Sequence, residues 1–367
     1  MTNPRLHLVG LPHTTTTDDI TVCAYTAKAT KFLRMMKGWD IVLYWGDRND
    51  APCSELVTLH SEEERQEWYP GLTKENVATL GGQWNVGDLP WVVMNTRAIA
   101  ELHMRLNPND LILLAGGWAS HPIADAFPSH TVCEYGVGYT GWFTKYVCFE
   151  SHTWRHWCYG DKKVNDGRFY DTVIHNFFDV SEFPLVKKKD PYLAFVGRLI
   201  RRKGTALIGD IAARAGMPLY VAGPGAIEHE DGRFILCEDG TRIEGDVHYL
   251  GVLGVEGRAD LMGRATALLA PTQYIEPFGG VAVEAQMCGT PAITTQWGAF
   301  TETVIPQFRF DTVPDALRCI QRATHANPKE IRQRAVSNWS LDNIRPHYEQ
   351  WLQRLYGLKT GNDFYGQ

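Results

Sequence analysis

ALLAPTQYIEPFGGVAVEAQMCGTPAITT, residues 267–295, decides how the rest of the chain is read. Ala267–Ala270 is an apolar run of strand length ending at Pro271, and Val281–Cys288 reads as a short helix. Gly289 stops that helix and Pro291 opens the next apolar run, Ala292–Thr295. Strand, helix and strand in this order form a βαβ unit with parallel strands. Glu276-Pro277-Phe278-Gly279-Gly280 lies between the first strand and the helix. Gly279 and Gly280 bring backbone N–H groups to a helix start, where the dipole favours an anion. Glu276 precedes this turn and Glu284 follows it, so two carboxylates flank a place for a phosphate. Carboxylates accept hydrogen bonds from sugar hydroxyls. The dipole alone accounts for Glu284, but not for the whole arrangement.

Upstream, Tyr192–Val196 predicts a strand and Thr205–Ala215 a helix, joined by Gly197-Arg198-Leu199-Ile200-Arg201-Arg202-Lys203-Gly204. Gly197 permits a tight turn, and Arg198 and Lys203 can converge above the strand end. Charge-assisted contacts to phosphate oxygens contribute roughly 1.5–3 kcal/mol each. Pro218–Ala222, His248–Leu250 and Val255–Arg264 continue the alternation as strand, strand and helix. In the first half, strands are expected at Arg5–Val9, Ile41–Tyr44, Asp110–Leu114 and Thr131–Tyr135, with helices at Tyr25–Lys37 and Val92–Leu106. A helix carrying Trp154 to Trp157 follows, and residues 47–90 read as an elaboration with a possible strand at Leu56–Leu59. The fold class is α/β, with parallel sheets in two domains and ligands at the carboxyl ends of strands. The division read from the pattern is 1–185, 186–340 and a C-terminal helix and tail at 341–367. Pro184 and Lys187-Lys188-Lys189 read as a solvated linker.

A chain of 367 residues with 44% hydrophobic and 21% charged residues has room for two cores and is globular in composition. No apolar run reaches the roughly 18–20 residues of a membrane helix, and the N-terminus lacks a signal-peptide pattern. The eight cysteines include no pair three apart, so redox and zinc motifs of that spacing are absent. A reduced, cytoplasmic protein is the expectation. The net charge of −6 is uneven: residues 1–185 hold 15 Lys and Arg against 22 Asp and Glu. Such an acidic front half disfavours broad phosphate-backbone binding.

The second half resembles the donor domain of the family 4 (GT4) retaining glycosyltransferases of GT-B fold. The matching stretches are FVGRLIRRKG at 195–204, YVAGPG at 220–225, VHYLGVL at 247–253 and the quoted 267–295, whose Glu-x₇-Glu element is followed by Cys-Gly-Thr-Pro. The resemblance implies two Rossmann-like domains facing a cleft, with the last helix crossing back to the first domain. It implies transfer of a hexose, glucose-like, from a nucleotide-diphosphate sugar, with UDP the family's usual nucleotide, to an acceptor hydroxyl. Retention of configuration without a catalytic metal or other cofactor is implied as well; no Asp-x-Asp occurs. Arg198 and Lys203 would clamp the diphosphate, Glu276 would meet the donor sugar near its reacting carbon, and Glu284 the ribose. Backbone amides of Phe278, Gly279 and Gly280, with Gly197, would complete the donor site. Gly10, followed by Leu11-Pro12-His13 and Thr14–Thr17, stands where the family carries a glycine-rich loop. Where relatives carry a histidine, this chain offers Glu134 or Tyr135, with His121 after Gly116-Gly117 as the other candidate.

Other signals weigh less. Gly136-Val137-Gly138-Tyr139-Thr140-Gly141 fits a dinucleotide fingerprint but lacks an evident second strand before Asp161, so an NAD-dependent oxidoreductase is a minor alternative. His152, His156 and Cys158 are interleaved with Trp154 and Trp157, which favours packing over zinc. Lys28, Lys31, Arg34 and Lys37 read as the solvent face of the first helix, with a strip for membrane or nucleic acid as the less favoured reading. Trp339, Tyr348, Trp351 and Tyr356 read as aromatic anchors of the terminal helical region. A saccharide acceptor is slightly favoured over a modified base in DNA. A nucleotide-sugar-binding protein without turnover is the alternative from another class.

Overall fold

The computed structural model describes residues 3–17, 23–73, 76–77 and 84–359. The chain forms two compact units. One comprises residues up to Glu150, Cys158–Phe177 and the chain from Ile344; the other comprises Ser151–Trp157 and Phe178–Asn343.

The first unit is built on seven parallel strands: β1 (Leu6–Val9), β2 (Ile41–Gly46), β3 (Glu55–His60), β4 (Leu111–Leu114), β5 (Thr131–Val137), β6 (Tyr146–Phe149) and β7 (Thr172–Val173). Their order is β3-β2-β1-β4-β5-β6-β7. β1, β2 and β4 are apolar along their length and buried on both faces, as strands covered by helices on both sides must be. His7 is the polar exception in β1. Its ring nitrogens meet the Tyr44 hydroxyl at 2.8 Å and Asp110 at 3.1 Å, so the buried imidazole is satisfied. The chain winds outward from β1 to β3, then returns to lay β4 on the other side of β1. The reversal leaves a crevice at the carboxyl ends of β1 and β4.

The acidic run Glu62–Glu64 opens a helix, Glu62–Trp68. Ser61 and Glu64 form a reciprocal capping box, which satisfies two amide donors at the helix start. From Ile344 onward, the helix Leu341–Lys359 packs in the first unit, with Tyr348 edge-on to Phe32 and Phe177 at 5.3 and 5.6 Å. Trp351 is buried beside it, while Trp339 belongs to a cluster of the second unit.

The basic strip of the first helix, Ala24–Met35, is not the solvent face read from its spacing. Lys28 is buried in an ion pair with Glu150 and donates to the Gly136 carbonyl, while Lys31 donates to the Phe177 carbonyl at 2.6 Å. These lysines tie the helix to β5, β6 and the end of the unit. A cation every third residue does not distinguish this arrangement from a wet face.

In the second unit six parallel strands run in the order β13-β9-β8-β14-β15-β16. They are β8 (Asp190–Val196), β9 (Leu219–Ala222), β13 (Val247–Tyr249), β14 (Ala265–Ala270), β15 (Ala292–Thr295) and β16 (Arg309–Phe310). β10 (Ala226–Glu230), β11 (Phe234–Cys237) and β12 (Arg242–Glu244) form a separate antiparallel sheet inserted after β9. Here the reversal lies between β8 and β14. The Lys187–Lys189 stretch is not wholly solvated. Lys189 donates to the Gly263 carbonyl and the Thr290 hydroxyl, both at 2.7 Å, and burial lowers its pKa to about 8. Among the described residues no helix is long and apolar enough to cross a membrane.

Candidate functional site

The loops at the reversal of the second sheet are the two singled out in the sequence. After β8 the backbone runs through Gly197 into Arg198. Gly223, at φ +139°, lies so close to the Gly197 carbonyl that a methyl group would collide with it. The glycine contact lets the turns after β8 and β9 pack backbone to backbone. Leu199 donates to the Pro224 carbonyl at 2.8 Å, which fixes the loop on both sides of Arg198. Arg198 itself is exposed.

At the far end of the loop, Gly204 takes a left-handed φ of +81° against the Pro271 carbonyl and starts the helix Thr205–Ala215. A side chain there would strike the strand-end backbone, so glycine is required for close approach. The preceding residue, Lys203, is thereby held over the end of β14. Its ammonium donates to Glu276 Oε2 at 2.8 Å and lies 4.9 Å from the centre of the Tyr274 ring. The Arg202 guanidinium covers the same ring at 4.0 Å. Burial pushes the Lys203 pKa down, but the Glu276 carboxylate and Tyr274 outweigh it, and the ammonium is held above its ordinary value. Glu276 is equally constrained. Its carbonyl accepts from Ala299 at 2.9 Å, and Gly298 is pressed against its backbone at φ +62°.

Gly279 caps the helix Gly280–Met287 at φ +75° with the Phe300 ring against it. The Phe278 ring is buried on Phe178, so only its backbone remains a candidate for ligand contact. Glu284 lies near the Arg258 guanidinium, at 3.3 and 3.4 Å, both side chains being largely buried. Sequence reasoning missed Arg258, Arg202 and Tyr274. Arg202 and Lys203 lie in one loop and Tyr274 in another about seventy residues on, and nothing in spacing says that the two loops meet.

Residues 177–314 match the sequence profile of the family Glycosyl transferases group 1. The likeness to that family is confined to this segment of the chain, which contains both loops and every donor-side residue named above. A phosphatidyl-myo-inositol mannosyltransferase of Propionibacterium freudenreichii is 28% identical over 177 residues, 44% of this chain and 43% of that protein. A glycogen synthase of Mycobacterium tuberculosis is 32% identical over 146 residues, 36% of this chain and 34% of that protein. The match thus spans less than half the length of these curated relatives. Among solved structures, Anabaena Alr3699/HepE in complex with UDP and glucose is 13% identical with a TM-score of 0.67, covering 95% of this chain and 99% of that one. That likeness is one of fold: two doubly wound units in one chain, the GT-B architecture expected from the sequence.

The front-half candidates are placed differently. Gly10 is buried against the Trp45 ring, which a methyl group would overlap, so its small size serves packing in the first unit. Glu134, on β5, is fully buried and saturated with donors: Tyr139 Oη at 2.9 Å, the Phe143 and Thr144 amides at 2.8 and 2.9 Å, and Thr144 Oγ1 at 3.1 Å. Burial raises its pKa and these donors oppose the rise. The Tyr135 ring is buried on Phe32. His121 stacks under the Trp118 indole, 4.4 Å away and inclined by 19°. The Gly136–Gly141 run enters a loop towards β6, with no helix after it, so the dinucleotide geometry is not formed. His152 and His156 are exposed while Cys158 is buried, and Trp154 and Trp157 stack at 4.6 Å.

His13, in the same β1 loop, yields a pH prediction. It is 2% exposed, edge-on to Trp84 at 5.3 Å, and burial, with the charges of Arg65 and His60, lowers its pKa to about 4. The unfolded chain takes up a proton near pH 6.5 that the folded chain refuses until about 4. Stability is therefore full above pH 6.5 and falls between 6.5 and 4, by up to about 3 kcal/mol from this group. Urea midpoints should drop over that interval, and His13→Gln should flatten the drop; an unchanged slope would contradict the assignment.

Proposed function

We propose that the chain is a retaining glycosyltransferase that moves a hexose from a nucleotide-diphosphate sugar, with UDP the leading nucleotide, to an acceptor hydroxyl. One observation carries the reading: at the sheet reversal of the second unit, Lys203 is paired with Glu276 on the loop that opens the helix Gly280–Met287. Arg198 and Lys203 bind the diphosphate, and the amides at Phe278, Gly279 and Gly280 face it from the helix start. The Lys203 ammonium shares itself between Glu276 and the departing phosphate. It stabilises negative charge as the glycosidic bond stretches towards an oxocarbenium-like state. Glu276 meets the sugar near the reacting carbon. Glu284, oriented by Arg258, reads the ribose. UDP and glucose in the complex with Alr3699/HepE support this choice of donor by analogy of fold.

The reaction needs no metal in this reading, because fixed cations meet the diphosphate charge. Glu134 and His121 are assigned no part in bond breaking: the first ties down a loop, and the second supports Trp118. A neutral saccharide is the favoured acceptor, and the compartment is cytoplasmic.

The test is a panel of UDP-, GDP- and ADP-sugars incubated with the protein and candidate saccharides, with and without chelator. Products are read by mass spectrometry and released nucleotide by chromatography. One donor should be cleaved in chelator, with the product keeping its anomeric configuration. Full protein with no donor cleaved under any condition would contradict the proposal. Arg258→Ala should raise the donor KM about tenfold with a smaller effect on kcat, since it acts through Glu284 on binding rather than on the reacting carbon.

A further inference from the structure

The reversal point of the first sheet carries a feature that the donor chemistry does not use. The loop after β4 makes a tight turn, Gly117–Ser120, that pushes Trp118 outward until 54% of it is exposed. This exposure is built in. Gly117 sits at φ +54° with the Tyr139 ring behind it, and a methyl group on Gly116 would strike Ser120 and the Trp91 ring. Asn95, from the helix Leu89–Arg105, holds the turn from below by donating to the Ala119 carbonyl at 2.8 Å.

The indole is held as firmly as its backbone. His121 stacks against it, a ring nitrogen 2.9 Å from the Trp118 carbonyl, and Phe143 meets it edge-on at 5.8 Å and 87°. Gly141 leaves room beside its Cβ. An exposed aromatic ring with a fixed orientation is a prepared surface, since ligand binding need not pay for ordering it. Beyond the indole, His121 Nε2 lies 3.9 Å from the Asp125 carboxylate, which is itself exposed. An apolar plate with a donor–acceptor edge is thus presented at the carboxyl end of β4, beside β1, where sheets of this topology take their ligands.

We infer that Trp118, with His121 and Asp125, forms a binding subsite for a neutral sugar ring. The C–H face of a pyranose lies on the indole, and its hydroxyls meet the imidazole and the carboxylate at the rim. The turn itself favours a neutral occupant: Gly116–Asp125 contains no lysine or arginine and ends in an exposed aspartate, so it offers no cation of its own to an anionic lipid or a nucleic acid. His121 thereby acquires a positioning role, holding the plate. Calling the bound sugar an acceptor rests on the glycosyl-transfer reading above; the binding itself does not.

The experiment is titration of the full chain with maltose, cellobiose, mannobiose and N,N′-diacetylchitobiose, followed by ligand-observed NMR and calorimetry. Wild type should bind at least one of them. Trp118→Ala should weaken that binding at least tenfold and Trp118→Phe less, with thermal midpoints lowered by no more than a few degrees because only part of the side chain is packed. No binding by any of the four, or equal binding by wild type and Trp118→Ala, overturns the subsite. So does sedimentation of wild type, but not Trp118→Ala, with phosphatidylglycerol vesicles in place of sugar binding. If the wild type cleaves no nucleotide sugar while sugar binding still depends on Trp118, the subsite stands and the transfer reading falls.

Discussion

Lys203→Ala should lower donor cleavage by about three orders of magnitude, the effect expected when one preorganised charge on the departing group is removed. The size follows from the position of the ammonium. It is largely enclosed, 2.8 Å from Glu276, and held above its ordinary pKa by the groups around it, so it stays charged at neutral pH. No water-screened surface lysine could supply as much. The variant also leaves Glu276 beside Tyr274 without its cation, and breaking such a pair destabilises by about 3–5 kcal/mol when both partners are fully buried. Lys203 retains 25% side-chain exposure, so a smaller cost is expected. Lys203→Arg separates the two effects. It keeps the charge but not the reach, and should restore folding more fully than turnover. Circular dichroism and nucleotide release on the same samples check both. Near-wild-type release by a folded Lys203→Ala protein would remove Lys203 from the mechanism.

Glu134→Ala should produce the largest loss of stability, about 3 kcal/mol or more. The carboxylate holds two backbone amides and two hydroxyls, and its removal strands the Phe143 and Thr144 amides inside the first unit. Glu134→Gln keeps the shape and some acceptors, so it should recover part of the loss. Denaturant midpoints measure this directly. A midpoint shift below about 0.5 kcal/mol for Glu134→Ala would show that the loop does not depend on the carboxylate. Loss of turnover in a fully stable Glu134→Gln protein would give this residue the chemical role not assigned to it here.

These two glutamates show what a sequence discloses. Glu276 was legible because its loop carries its own grammar: strand, glycine turn, helix, and a second acid eight residues on. Local order fixes such a site, and local order is what spacing reports. Glu134 was read as a substitute for a missing histidine, but its partners lie five to ten residues away around a loop whose path no periodicity predicts. Lys28 fails for the same reason. Its spacing suits a wet helix face, yet its partners, Gly136 in β5 and Glu150 just after β6, lie over a hundred residues later.

The parallel sheets were legible from apolar runs alternating with helices, because burial on both faces demands continuous apolar strands. The antiparallel insert of β10, β11 and β12 was not. In β10, Glu228, His229 and Glu230 are exposed and give no apolar run; β11, Phe234–Cys237, is apolar but only four residues long, with no helix after it to mark a βαβ unit. Gly10 was read as a ligand-approach glycine, whereas the group it approaches is Trp45, thirty-five residues on.

The central claim is that Arg198 and Lys203 grip a nucleoside diphosphate on the second unit. Its most direct measurement is calorimetric titration of UDP, GDP and ADP into wild type, Arg198→Ala and Lys203→Ala, with folding checked for each. The account predicts that one of the three diphosphates binds the wild type and that each substitution weakens it tenfold or more, as expected for the loss of a charge-assisted phosphate contact. Binding of equal strength in all three proteins, or no binding of any diphosphate to the wild type, would contradict it.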